Sequence, residues 1–388
     1  ILTQFMKNEG IDILHFYRGG KEHSEIFGAS LRANVPIRTE LNVFGLFDRS
    51  PNSSLIDRHM LQSKTAAIRY ISHGGLRVED FLTNGRVVTS AVDVEKFARL
   101  RPTEAKVQKI RQSLDVEPDI PLLCRVGRPD LSKWSFFTLH AFSLLVERFP
   151  RVRFLIVGGI HPLALSKIRK WGLSRYFRIV NEVPDEQLIE LFHSIDILAH
   201  ASHIGESFGN TIVQAMAARK PIVVNSTDWA DNAQIEAVEH GTTGLVANTP
   251  RSYSDALLRL LRNRNEARNM GLRGYEKALS EYSAPKVVRS LEKSYAELAD
   301  SKKVKPDRAR SSYYEGIRYL PTIEEISAWP VEYEMRLASC GYSLGHAGRI
   351  AIRYCWMATN IFPFFRQIRI PRLITAYGGR MAYLAAVT

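Results

Sequence analysis

The sequence is poor in cysteine: Cys124, Cys340 and Cys355 are the only three in 388 residues. They are scattered, odd in number and without metal-ligand spacing, which excludes a disulfide scaffold and suits reduced thiols in a cytoplasmic setting. No apolar run reaches 18 residues, so no spanning helix is expected. No D-x-D pair, no internal repeat and no signal-peptide pattern occur, and the first residue is Ile1 rather than Met, which reads as a fragment. What is present is globular in composition, 45% hydrophobic and 24% charged. The formal charge of +13 calls for an acidic partner: nucleic acid, anionic lipid or a phosphate-bearing ligand.

From about residue 10 to 300 short β-branched runs alternate with longer amphipathic stretches. Strands are expected at Ile11–Phe16, Ile68–Ser72, Leu122–Val126, Phe154–Val157, Phe177–Val180, Ile195–Ala199 and Pro221–Val224, with a helix over Phe136–Phe149. Short runs that are apolar throughout suit parallel strands covered on both faces, so the fold class is α/β, doubly wound. The polar stretch around Arg101–Pro121 suits a domain junction, and Ser301–Ser312 reads as a charged linker.

Two segments carry chemistry. In Leu122–Trp134 an apolar strand runs into Gly127 and Arg128, with Lys133 five residues later. A strand-to-helix loop lies at the carboxyl edge of a parallel sheet, where such sheets bind ligands, and a planar guanidinium and an ammonium there suit a diphosphate. Ordinary surface ion pairing is the competing reading. In His200–Lys220, Phe208, Ile212, Val213, Met216 and Ala217 fall at helical spacing toward a core, while Asn210 and Gln214 share the other side. Glu206 precedes this helix beside Gly205, and the amides of Gly209, Asn210 and Thr211 form an anion site at its start. The competing reading is a carboxylate favourably placed at a helix N-terminus.

The run Gly205–Ala217 resembles the E-x7-E signature of family 4 glycosyltransferases, and Arg128 and Lys133 match that family's G-R-x-x-x-x-K segment. Val183–Ser202, Glu236–Val246 and Val92–Phe97 resemble further family elements in the same order. The resemblance implies the GT-B architecture, two facing Rossmann-like domains, with the first truncated here and a C-terminal helical basic extension. It divides the chain into an acceptor-side domain over 1–103, a nucleotide-sugar domain over 104–283 and a helix over 284–300 crossing back to the first. A linker over 301–312 and the extension over 313–388 follow. It implies a retaining transfer from a nucleoside diphosphate sugar to a glycan or lipid-linked acceptor, with no cofactor and no metal. Arg128 and Lys133 would hold the diphosphate, and Glu206 the sugar hydroxyls. Gly127, Ser207, Phe208, Gly209, Asn210, Thr211 and Gln214 would form the rest of the donor site.

Departures from the pattern are specific. Gln214 stands where the family has its second Glu, an acceptor without the strength of a charged one. Thr39-Glu40-Leu41-Asn42 stands where many members have T-E-H-N, and Leu41 neither hydrogen-bonds nor carries charge. His15 is a substitute candidate, against its reading as a packed histidine at a strand end.

From Met335 to Thr388 there are seven arginines, interleaved aromatics and no acid. This reads as a segment for an anionic membrane surface, placing the protein peripherally on the cytoplasmic face, or as a helical extension packed on the first domain. Nucleic acid is the less favoured partner, since no recognised module surrounds the arginines. Beside the transferase reading stand a non-catalytic or weakened glycosyltransferase-like binding protein at a membrane surface, and a GT-B sugar-nucleotide epimerase.

Overall fold

The computed structural model describes residues 1–304, apart from 9, 19–23, 131–132 and 228–229. The basic segment 335–388 and nearly all of the extension from 301 onward lie outside the described residues. Two fully parallel sheets form the frame. The first has strands β1 (Ile13–Arg18), β2 (Ile37–Asn42), β3 (Arg58–Leu61) and β4 (Gly85–Val87), in the order β1-β2-β3-β4. The second has β5 (Leu122–Val126), β6 (Arg153–Val157), β7 (Phe177–Val180), β8 (Ile197–His200), β9 (Ile222–Val224) and β10 (Leu245–Val246). Their order is β10-β9-β8-β5-β6-β7, so the winding reverses between β5 and β8. Among the described residues no helix is long and apolar enough to cross a membrane.

The α/β class agrees with the sequence, and the second sheet lies close to the expected runs because its strands are buried on both faces. One expectation is overturned: Ile68–Ser72 is not a strand but part of the helix Lys64–Gly74. Ser63 caps that helix by accepting from the Ala66 amide, and Gly75 ends it in the left-handed region at φ +64°. Within five residues an apolar stretch does not distinguish the two periods, and the capping residues decide.

Apolar clusters sit on both faces of the second sheet. Val92, Val94 and Phe97 belong to one of them, so the chain enters the second domain's core soon after β4. It returns at Ser283, which lies alongside Val92: the Val92 amide donates to Tyr282 at 2.9 Å and Ala284 donates back to Val92 at 3.0 Å. The helix Ala284–Ser301 then packs on the first domain, Val287 against Leu41, Met60 and Val88, and Leu298 against Ile37. Glu297 accepts from Arg58 at 2.8 Å and from Arg86 at 3.5 Å, so this return helix is fixed by charge as well as by apolar contact.

Candidate donor site at the switch point

The reversal of winding leaves a crevice outside the carboxyl ends of β5 and β8, and both loops singled out in the sequence emerge there. The Gly127 amide still donates to Val157 at 3.0 Å, extending the ladder by one residue. Arg128 follows at the loop surface with 74% of its side chain exposed, 3.4 Å from Asp130. Lys133 turns inward instead. Its Nζ donates to Glu206 Oε2 at 2.9 Å and to the Gly205 carbonyl at 3.0 Å, joining the β5 and β8 loops. The structure therefore brings Lys133 and Glu206 together and leaves Arg128 at the rim.

Glu206 is 14% exposed and accepts on its other oxygen from His200 Nε2 at 3.1 Å. Burial alone pushes this carboxyl upward, but the hydrogen bond and charge of His200, followed by those of Lys133, bring it down to about 2. It is thus ionised throughout the neutral range. The Glu206 amide donates to Gln234 Oε1 at 2.9 Å. Gly205 adopts φ +70°, and a Cβ there would lie 1.5 Å from the Asp231 carbonyl oxygen, so glycine is obligatory at this turn. Gly209 begins the helix Asn210–Ala217 at φ +95° and receives the Ile212 amide at 2.9 Å. Asn210 is exposed and Thr211 and Gln214 are half-buried, on the side away from the core. Ser207 is half-buried as well. Phe208 lies in the core, as its spacing implies, edge-on to Tyr282 with centroids 5.4 Å apart, so only its backbone remains to face a ligand.

Sequence reasoning missed Arg125. Inside the otherwise apolar β5 its guanidinium donates to the carbonyls of Gly127 at 3.2 Å and Lys133 at 3.0 Å and stacks 4.4 Å over Trp134. Burial lowers its pKa to about 10, with the charge of Glu206 acting in the opposite direction. The legible signal was the cation itself in an apolar strand, since a buried arginine persists only where acceptors meet it. Arg125→Met orphans those carbonyls, and we expect a loss of about 3 kcal/mol in urea unfolding. Nucleotide affinity should fall with it, because the Gly127–Lys133 loop loses its brace.

On the first domain, Leu41 is buried against Met60 and Val287, so at the position of the family's histidine this chain packs its return helix. His15 does not replace it as a free imidazole. Its Nδ1 lies 2.7 Å from Thr39 Oγ1, and its ring meets Tyr17 and Tyr295 edge-on. Burial lowers its pKa, and Glu40 opposes that. His59, 2.6 Å from Glu40 and buried with it, was also missed, because two polar residues in short strands carry no apolar signal.

Two parallel-sheet α/β domains, the second with a crevice at its switch point, form a frame suited to a phosphate-bearing ligand. Residues 120–263, which lie within the second domain, match the family model of the glycosyl transferases group 1. A D-inositol 3-phosphate glycosyltransferase of Corynebacterium urealyticum is 31% identical over 186 residues, 45% of this chain and 42% of that protein. A trehalose synthase of Thermococcus litoralis is 24% identical over 245 residues, 60% of this chain and 57% of its own. The chain thus spans about half the length of the curated relatives it matches. Among solved structures, a glycosyltransferase from Rickettsia africae superposes with a TM-score of 0.67 at 17% identity, covering 76% of this chain and 79% of that one. HepE of Anabaena, solved with UDP and glucose, gives 0.61 at 16% identity, covering 76% and 81%. The fold is GT-B.

Proposed function

We propose that the protein transfers a sugar from a nucleoside diphosphate sugar to a hydroxyl of a glycan or lipid-linked acceptor, with retention at the anomeric carbon and without a metal. The observation that carries this is the Lys133–Glu206 contact of 2.9 Å at the switch point, beside the start of the helix Asn210–Ala217. An ammonium and free helix amides suit a diphosphate, and an ionised carboxylate between them suits sugar hydroxyls. In the proposed step the bond from the anomeric carbon to the leaving diphosphate oxygen breaks as the acceptor oxygen bonds to the same face. The acceptor proton passes to that leaving oxygen. Charge growing on the diphosphate is met by Lys133, Arg128 and the amides of Asn210 and Thr211, preorganised donors that need no metal. A relative named for D-inositol 3-phosphate and a neighbour solved with UDP and glucose support a nucleotide sugar and a polyol acceptor.

Thermal unfolding with UDP, GDP and ADP, on the parent and on Arg128→Ala plus Lys133→Ala, tests the donor site. A ligand at about 100 times its dissociation constant adds roughly 2.7 kcal/mol, so one nucleotide should raise the parent's midpoint and leave the double variant unmoved. No shift with any nucleotide in a folded parent rejects the reading. Leu41 and Gln214 favour a second reading, a weakened or non-catalytic binder at a membrane surface. Donor turnover separates it from a transferase, and acceptor dependence of turnover separates a transferase from an epimerase.

A further inference from the structure

We propose that Glu236 and Arg69 are positioning residues that clamp the first domain onto the loop holding Glu206, so that domain closure and the seating of that carboxylate are one event. The inference rests on the transferase reading above for its consequence in catalysis, but not for the clamp itself.

Glu236 stands on the short helix Gln234–Ala237 of the second domain, yet its carboxylate caps a helix of the first. One oxygen accepts from the Thr65 amide at 2.7 Å and the Thr65 hydroxyl at 2.5 Å, and the other from the Lys64 amide at 3.0 Å. These are the first two residues of the helix Lys64–Gly74, whose amides have no partner within the helix. Ser63 of the first domain fills the next position, at Ala66. An anion there meets the positive end of the helix as well as its donors. One turn on, Arg69 reaches back across the boundary. It donates to Asp231 at 2.6 Å and to the Ala230 carbonyl at 2.8 Å, while its Nη1 also holds the Phe44 carbonyl at 2.7 Å. The same helix is therefore gripped at two points by residues 230–236.

That segment is also the underside of the donor loop. Asp231 donates its amide to Ile204 at 3.1 Å and Ala233 to the Glu206 carbonyl at 2.8 Å. Gln234 accepts the Glu206 amide, and Thr227 holds the Asp231 carbonyl. The lack of room for a Cβ on Gly205 shows how tightly the two strips are pressed together. A continuous set of hydrogen bonds thus runs from the first domain's helix to the Glu236 side chain, from the Glu236 amide to the Ala233 carbonyl at 2.9 Å, and from the Ala233 amide to the Glu206 carbonyl. If the helix Lys64–Gly74 withdraws, segment 230–236 loses its anchor and Glu206 loses the support beneath it.

The test uses the full chain, with Glu236→Gln, Arg69→Met and the pair, and UDP as the probe. Small-angle scattering should show a larger radius of gyration for the pair than for the parent, with circular dichroism unchanged. Arg69→Lys, which keeps a contact to Asp231, should restore most of the compaction. UDP affinity should stay within about two-fold, because nucleotide contacts lie on the second domain alone. Turnover of the sugar donor of whichever nucleotide binds should fall at least ten-fold in kcat with donor KM little changed, a split that general destabilisation does not produce. Equal radii for parent and folded pair overturn the clamp, as does a loss confined to KM. If the parent turns over no donor, the transferase reading fails while the scattering comparison still decides the clamp. Should the pair not fold, Glu236→Gln alone carries the same comparison.

Discussion

Lys133→Ala should lower turnover by about 10²–10³-fold, the loss expected when one preorganised donor to a developing anion is removed. The size follows from where the ammonium sits. It is enclosed between two loops and holds Glu206 and the Gly205 carbonyl at once, so water screens it little. Arg128, with 74% of its side chain exposed, is expected to matter less, about ten-fold, and its effect should weaken with salt. Lys133→Arg should not rescue the alanine variant, because the pocket is shaped for a point charge and a planar fork presents its donors elsewhere. Removal of Lys133 also takes one of two partners from a buried carboxylate, leaving it to His200, so the alanine variant should lose stability as well as rate. Adding Glu206→Gln should recover the stability and leave the rate low. Steady-state kinetics on the nucleotide sugar identified by thermal shift, beside urea unfolding, checks both. A turnover within three-fold of the parent would remove Lys133 from the reaction.

How far the sequence shows this arrangement depends on what each strand buries. β5, β6 and β9 are apolar stretches in a two-sided layer, and their hydropathy marks them almost to the residue. β2 and β3 read as Ile-Arg-Thr-Glu-Leu-Asn and Arg-His-Met-Leu, and no apolar run announces them. Their polar members are buried because they meet one another or the return helix: Glu40 with His59, Arg58 with Glu297. Such pairs exist only once the fold has formed, so local pattern does not reveal them. β10 is two residues long and below any periodic signal. The donor loops were legible because glycine, cation and carboxylate fall at fixed short spacings. The contacts of Glu236 and Arg69 were not, since each spans more than 160 positions in the chain.

Glu206→Gln should cost stability in a way that depends on pH, and the sign is fixed by the direction of the shift. The folded protein holds this carboxyl at about 2, against an ordinary 4.5, because His200 and Lys133 stabilise its charged form despite burial. Above pH 4.5 it is ionised both folded and unfolded, and its whole contribution is present. As pH falls from there toward 2 the unfolded chain takes up the proton first, and the contribution drains away. A displacement of this size corresponds to on the order of 3 kcal/mol. Urea unfolding should therefore separate parent and variant by about that amount at pH 5, and the gap should narrow, without closing, as pH drops to 3. A gap that stays constant to pH 3 would mean that the carboxylate is not held by its two partners. The same displacement bears on the reaction. A carboxylate that keeps its charge through the working range accepts hydrogen bonds and does not donate a proton. In the proposed transfer Glu206 would therefore orient sugar hydroxyls, and the acceptor's proton would pass to the departing diphosphate, whose growing charge makes it the stronger base at that moment.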